Sequence, residues 1–143
     1  EFLSDETLLA VASAEFIKRY GIVDTETLAE APLLHLETRP FAWSDWFSAK
    51  GMPDDRVYPG RCFDQFSMII AGAVHGLGAA LLPSYLIEDE LAAGALVLVD
   101  QTRTTTSNKY YLVTSPDNVP PGAGIFAGWI KSRIRQAPVS GVP

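Results

Sequence analysis

Short apolar runs alternate with helical patterns along the chain. Uninterrupted apolar runs of this length predict strands that are buried on both faces, and runs rich in β-branched and aromatic residues predict further strands. The predicted strands are 8–12, 33–36, 56–63, 79–82, 95–99 and 109–114. Because helical segments separate them, the alternation predicts an α/β fold with a parallel-type sheet that is covered on both faces.

The predicted helices are marked by capping residues as well as by apolar periodicity. Ser13 and Asp64 each stand where a side-chain oxygen can accept a free N–H group of the first helical turn. After Asp64, apolar residues recur at helical spacing as far as Leu77, where the glycines on either side favour a helix end. The predicted helices are 14–20, 25–30, 41–51, 66–77, 85–93 and 126–134.

Composition narrows the class of protein. Hydrophobic residues make up 48% of the 143, enough for a packed core, and the single cysteine, Cys62, excludes an internal disulfide. No apolar run reaches the about 18 residues of a membrane span, and the acidic start of the chain lacks the positive charge of a signal peptide. We therefore expect a soluble, cytoplasmic domain. With 11 basic and 17 acidic residues the net charge is −6, a poor match for a nucleic-acid backbone.

The sequence patterns of catalysis and metal binding are missing. The chain has neither a Gly-x-Ser-x-Gly nucleophile motif nor a phosphate-binding loop with Gly-Lys-Ser/Thr. His35 and His75 are far apart and have no carboxylate at metal-ligand spacing. We therefore expect no catalytic residue, no metal and no cofactor. A small α/β enzyme whose site is assembled only in space is an alternative.

Polar residues follow two of the predicted strands at the point where a helix begins. Thr38 and Arg39 follow the second strand, and Asp64 and Gln65 follow the third. In open α/β sheets, ligands bind beyond the carboxyl ends of strands, and helix N-termini present free N–H groups to anions. These positions therefore predict a ligand site in which Arg39 pairs with an anionic group. The alternative is an ordinary helix cap and a surface arginine.

Three segments of the sequence together resemble one protein family. They are FDQFSM at 63–68, AVHGLGAALLP at 73–83 and EDELAAGALV at 88–97. With them, the chain resembles the effector-binding domain of LysR-type transcriptional regulators. The run LHLETRP at 34–40, with the Trp-x-x-Trp-Phe pattern after it, resembles the subgroup of glycine-cleavage and β-lactamase regulators. The resemblance covers nearly the whole chain.

The resemblance implies a periplasmic-binding-protein-like fold of type 2, in which two α/β lobes are joined by crossover strands. It implies the end of lobe one and the first crossover strand at 1–12, lobe two at 13–108, the return crossover strand and C-terminal helix at 109–136, and a tail at 137–143. The winged helix-turn-helix and most of lobe one have no counterpart here, so we expect a fragment of a longer regulator. We expect Phe126, Trp129 and Ile130 to be exposed or to find a substitute partner.

The resemblance also implies what the domain does. A small-molecule effector, with an anionic group toward Arg39, would drive lobe closure and so change a dimer or tetramer and transcription. The implied effector-binding residues are Thr38, Arg39, Asp64, Gln65, Phe66, His75, Gly76 and Tyr110. We expect DNA to be bound only through the missing winged helix-turn-helix, RNA polymerase to be a partner of the full-length protein, and no membrane to be involved. A solute-binding protein of the same fold class, serving transport, is the alternative.

Overall fold

The chain forms two compact units in the computed structural model. The larger unit comprises Thr7–Thr104, and the smaller unit comprises Glu1–Glu6 with the described residues from Thr105 onward. The structure describes residues 1–53, 55–115, 117 and 119–136, and for residues 135 and 136 it describes the backbone only. The predicted tail, 137–143, therefore lies outside the described residues. In this described part of the chain, no helix is both long enough and apolar enough to cross a membrane.

A mixed sheet forms the centre of the larger unit. Its strands are β1 Phe2–Ala12, β2 Leu33–Leu36, β3 Gly60–Phe63, β4 Ala79–Pro83 and β5 Val97–Leu98, in the spatial order β3-β2-β4-β1-β5. Strand β2 pairs in parallel with β3 and β4, whereas β1 is antiparallel to β4 and β5. The predicted parallel-type sheet is therefore only partly right. A strand that is buried on both faces has the same apolar composition in either direction, so composition could not reveal the orientation of β1.

Successive residues of the central strands supply two separate cores. Leu33 and Leu81 belong to the core on one face, and their neighbours Leu34 and Leu82 belong to the core on the other. The first core also receives side chains from α1 Ala14–Tyr20, α2 Thr25–Glu30 and α3 Ala42–Ser48. The second receives them from α4 Phe66–Val74 and α5 Glu88–Ala92. This alternation is the reason for the uninterrupted apolar runs, because every residue of such a strand meets a core.

Several predicted element boundaries are wrong. Strand β1 begins at Phe2 instead of residue 8, β5 covers Val97–Leu98 instead of 95–99, and α3 covers Ala42–Ser48 instead of 41–51. Strand β3 begins at Gly60 instead of residue 56. The preceding Tyr58 is not part of the strand: its side chain lies in the first core and stacks on Phe47, with ring centroids 4.3 Å apart. Helix α4 has Gln65, not Asp64, as its N-cap, and no side chain makes the capping hydrogen bond. The same helix ends at Val74, so Leu77 lies outside it and is exposed.

The predicted helix over 85–93 is divided in two. Ser84–Leu86 form a 3₁₀ turn and α5 follows, so Ser84 lies within the turn instead of capping a helix. Between them, Ile87 has φ −126° and ψ 17° and is fully buried. Burial of this β-branched side chain in the second core fixes a backbone conformation that a continuous helix does not allow.

The smaller unit contains the first half of β1, strand β6 Thr104–Tyr111 apart from its first residue, and helix α6 Ala123–Gln136. Strand β6 pairs with β1 and begins five residues before the predicted start, because its first half is polar and was predicted as a loop. Phe126 and Trp129 on α6 are exposed, as expected, whereas Ile130 is half-buried.

Candidate functional site

The carboxyl ends of the parallel strands lie at one edge of the larger unit's sheet, which we call the carboxyl edge. The register places Leu36 of β2 opposite Phe63 of β3. The Glu37 N–H group donates to the Phe63 carbonyl at 2.8 Å, which extends the pairing one residue further. The segments that follow the two strands therefore leave the sheet side by side. They contain five of the eight predicted site residues: Thr38, Arg39, Asp64, Gln65 and Phe66.

Arg39 is held in a tight connection between β2 and α3. Its backbone N–H group donates to the Leu36 carbonyl at 2.9 Å, and its own carbonyl accepts the Ala42 N–H group at 3.2 Å. The half-buried side chain extends over the first turn of α4, where its Cζ atom lies 5.2 Å from the centroid of the Phe66 ring. Such a cation–π contact is worth about 0.5–1 kcal/mol at an exposed site, and it fixes the direction of the guanidinium group.

An apolar pocket is present next to this pair. Arg39 and Phe66 both line it, and Trp43 of α3 forms part of its wall. The buried Trp43 indole donates its Nε1–H group to the Leu34 carbonyl at 3.0 Å, which attaches α3 to β2. The other lining residues are Leu8, Leu34, His35, Leu36, Ala42, Ile69 and Leu81. The cavity of about 10 Å³ has room for no more than a water-sized group, so an apolar part of a ligand would rest against its mouth beside Phe66, where Arg39 can hold an anionic group.

His35 also lies in this region, although it is not among the predicted site residues. It lines the pocket, and its Nε2 atom is buried with no hydrogen-bond partner among the described residues. Burial lowers the pKa of His35, against the opposite effect of the Pro59 and Tyr58 backbone groups, so the ring is neutral near pH 7. In the sequence, the one feature that points to a special role for His35 is its position within the apolar run 33–36, where all other residues are leucine.

The rim of the carboxyl edge is polar. Thr38, Asp64 and Gln65 are all exposed, and the Gln65 Oε1 atom accepts a hydrogen bond from the Ser67 hydroxyl at 3.4 Å. A hydroxyl, a carboxylate and an amide at one edge can bind both donors and acceptors of a ligand. No group of His, Cys, Asp and Glu in the described residues has the arrangement of a metal site.

His75 and Gly76 lie at the opposite edge of the sheet. His75 is the C-cap of α4, and its Nδ1 atom lies 2.8 Å from the Ala71 carbonyl. Gly76 has φ 75°, and a Cβ atom there would lie 3.6 Å from both Arg19 Nη2 and Ser13 Oγ. The nine residues of α4 put about 13 Å between these positions and Phe66. The structure therefore does not bring these two residues together with the five at the carboxyl edge.

Tyr110 belongs to the smaller unit, on β6. Its hydroxyl donates to the Oε1 atom of Glu6 at 2.9 Å. Glu6 is fully buried and also accepts hydrogen bonds from two further side chains of β6. In the sequence, Glu6 stands out only as part of the acidic start of the chain. The signal for it was one carboxylate at the start of an apolar strand, opposite a strand of alternating polar residues.

Comparison with known proteins decides the family. A model of the LysR substrate binding domain matches residues 1–135. The chain belongs to this family. The resemblance inferred from the sequence motifs is thereby confirmed.

Curated relatives of this LysR domain are named as transcriptional regulators. The chain is 29% identical to the HTH-type transcriptional regulator TrpI of Pseudomonas aeruginosa, over 92% of this chain and 45% of that protein. It is 30% identical to the glycine cleavage system transcriptional activator of Escherichia coli K12, over 93% of this chain and 44% of that protein. The chain thus spans less than half the length of these two curated relatives.

A solved structure supports the fold of this LysR domain. The AmpR effector binding domain from Citrobacter freundii superposes with a TM-score of 0.81 and 17% identity, over 96% of this chain and 68% of that chain. Effector-binding domains of this family have the periplasmic-binding-protein-like fold of type 2, so that prediction is confirmed.

Proposed function

We propose that this chain is the effector-sensing part of a cytoplasmic LysR-type transcriptional regulator. The observation that carries the proposal is the placement of Arg39 over Phe66, next to an apolar pocket, where parallel strands end. Ligands of open α/β sheets bind in this place. The curated relatives are named as regulators, which favours sensing over the transport alternative and over catalysis.

The effector proposed here is a small molecule with an anionic group and an apolar part. Arg39 pairs with the anion, because a guanidinium group matches a carboxylate or phosphate in two parallel hydrogen bonds. Phe66 contacts the apolar part, and Thr38, Asp64 and Gln65 form hydrogen bonds at the rim. Tyr110 belongs to the smaller unit, so this proposal leaves it out. His75 and Gly76 stand outside this proposal, because they lie at the other edge of the sheet.

The proposed organisation follows the family. Residues 13–108 form lobe two, 1–12 contain the end of lobe one and the first crossover strand, and 109–136 contain the return crossover strand and the C-terminal helix. An effector changes the regulator only if it binds one arrangement of the protein better than another. DNA contact belongs to a winged helix-turn-helix in another part of the regulator. Self-association and contact with RNA polymerase are further parts of the proposal.

The test is a ligand screen with a matched pair of variants. Thermal stabilisation is measured with a panel of small organic anions and their neutral amides, and the affinity of each compound that stabilises the chain is then measured by titration calorimetry. We expect R39A to bind an anionic compound about 10- to 100-fold more weakly, because a hydrogen bond to a charged group is lost, and to bind its amide almost unchanged.

R61A is the control, since it removes the same charge from an exposed position on β3. Equal losses for the anion and its amide in R39A would contradict the ion pair. A panel that stabilises neither the wild-type chain nor R61A would contradict the proposed sensing function.

A further inference from the structure

The small cavity at the carboxyl edge is lined by two polar side chains of different chemistry. Its volume of about 10 Å³ is enough for a group the size of one water molecule. Arg39 and His35 both line it. The other described lining residues are apolar except Trp43, whose N–H group is already used by the Leu34 carbonyl. A group that enters the cavity therefore meets one cation and one imidazole.

The contacts of His35 determine which ring nitrogen carries the hydrogen. Burial lowers the pKa of His35, so the ring is neutral near pH 7 and has one N–H donor and one lone-pair acceptor. Backbone hydrogen bonds with Pro59 and Tyr58 act on this pKa in the opposite direction, which is the effect of carbonyl oxygens on a ring N–H group. Because the Nε2 atom has no hydrogen-bond partner among the described residues, these bonds belong to Nδ1. Nε2 therefore presents a buried lone pair.

A buried acceptor of this kind calls for a donor. An apolar group in the cavity would leave Nε2 unpaired, and an unpaired buried polar atom is costly. We propose that the cavity is the site for a hydroxyl group of the effector, which donates its hydrogen to Nε2 of His35 while Arg39 holds the anionic group. This inference rests on the proposed function, in which Arg39 pairs with the effector.

The same surroundings distinguish a hydroxyl group from other small substituents. An ammonium group also donates, but it would bring a second positive charge next to Arg39 and bury it among apolar side chains. A methoxy group has no hydrogen to donate and is larger than a water molecule. Because Arg39 and His35 line one water-sized cavity, the hydroxyl lies close to the anionic group. The effector class is therefore a small hydroxylated anion, such as a hydroxy acid.

The probes are matched sets of carboxylic acids with two to six carbons. Each set contains the acid with a hydroxyl group at carbon 2 or 3, its methyl ether, the corresponding amino acid and the unsubstituted acid. Affinities are measured by titration calorimetry or by NMR titration. In the best-binding set, we expect the wild-type chain to bind the hydroxy acid about tenfold more tightly than each of the other members, the value of one hydrogen bond.

H35L removes the acceptor and replaces it with the residue found at every other position of β2. We expect the preference for the hydroxy acid to fall close to one in H35L, while the affinity for the unsubstituted acid stays within about twofold of the wild-type value. H75L is the matched control, because it makes the same substitution at an exposed histidine on the opposite edge and should keep the tenfold preference.

Three results would overturn the inference: a hydroxy acid that binds the wild-type chain no more tightly than its unsubstituted partner, an H35L chain that keeps the preference, or no binding by any hydroxy acid. A water molecule that stays in the cavity would give the first of these. If anions bind in an Arg39-dependent manner without any preference for a hydroxyl group, the inference fails and the proposed function stands.

A nitrogen NMR measurement of the wild-type chain needs no variant. The ¹⁵N chemical shifts of His35 distinguish a ring nitrogen that carries hydrogen from one with a lone pair. At pH 7 we expect hydrogen on Nδ1 and a lone pair on Nε2, with the Nε2 resonance shifting when the hydroxy acid is added. Hydrogen on Nε2 in the free chain would overturn the inference.

Discussion

At the residue scale, two indoles in α3 have different hydrogen-bonding environments. Trp43 donates its N–H group to the Leu34 carbonyl, whereas the buried Trp46 Nε1 atom has no hydrogen-bond partner among the described residues. Lys50 contacts the same indole, with its Nζ atom 4.5 Å from the centroid of the Trp46 ring, but this cation–π contact gives the N–H group no acceptor. Trp43, which attaches α3 to β2 on either side of the connection that carries Arg39, is thus the tryptophan whose N–H group has an acceptor.

The two tryptophans make a matched pair for a stability measurement. Both W43F and W46F leave a cavity, but only W43F also removes a buried hydrogen bond. We expect W43F to lower the free energy of unfolding by about 1 kcal/mol more than W46F, the value of one such hydrogen bond. Urea unfolding followed by circular dichroism gives both values. Equal losses would mean that the hydrogen bond to Leu34 contributes nothing.

His35 predicts a pH dependence of stability. Because burial lowers its pKa in the folded chain, the unfolded chain binds more protons below the ordinary histidine value of about 6.5. The contribution of His35 to the free energy of unfolding should therefore be constant above pH 7, and stability should fall as the pH decreases through about 6.5. Urea unfolding at several pH values should show a shallower fall for H35Q than for the wild type. H75Q, at an exposed histidine, is the control, and identical profiles for H35Q and the wild type would contradict the assignment.

At the element scale, the sequence predicts the helix boundaries that neighbouring side chains determine, but not those that depend on packing in the core. The predicted helices 14–20 and 25–30 have the same bounds as α1 and α2, because each is capped by a neighbouring side chain, Ser13 or Asp24. By contrast, Ile87 interrupts a helical pattern only because the second core binds its side chain. The five proposed site residues at the carboxyl edge follow from the rule that ligands bind where strands end, whereas the hydrogen bonds of Glu6 depend on the pairing of β1 with β6, which no local signal reveals.

Gly60 shows how a single residue limits the pairing of β2 with β3. It has φ 152°, and a Cβ atom there would lie 1.5 Å from the Leu33 carbonyl oxygen. G60A must therefore move one of the two strands that carry the carboxyl edge. We expect it to lower the free energy of unfolding by about 3 kcal/mol or more, in the range of severe backbone strain. G128A is the control in α6: a Cβ atom there meets no neighbour, so we expect no loss. A folded G60A chain of wild-type stability would contradict the close approach.

At the scale of the whole molecule, five cationic side chains of the described chain form ion pairs with carboxylates. The net charge is −6, so the acidic residues outnumber the basic ones. The ion pairs include Arg19–Glu15, Lys50–Asp100, Lys109–Asp5 and Lys131–Glu1, and Arg56 pairs with both Glu26 and Glu30. Paired cations can neutralise phosphates only after giving up their partners, so these five side chains add little to the attraction for a duplex.

This charge distribution predicts how the isolated chain behaves with DNA. We expect no binding to a labelled duplex tighter than about 10⁻⁴ M at physiological salt, the weak end of non-specific protein–DNA affinity. Fluorescence anisotropy over a series of salt concentrations measures it, with a basic DNA-binding protein as the positive control. Binding that weakens steeply with added salt would reveal phosphate contacts made by this chain itself. It would contradict the proposal that DNA contact belongs to another part of the regulator, because the slope counts the phosphates that the protein neutralises.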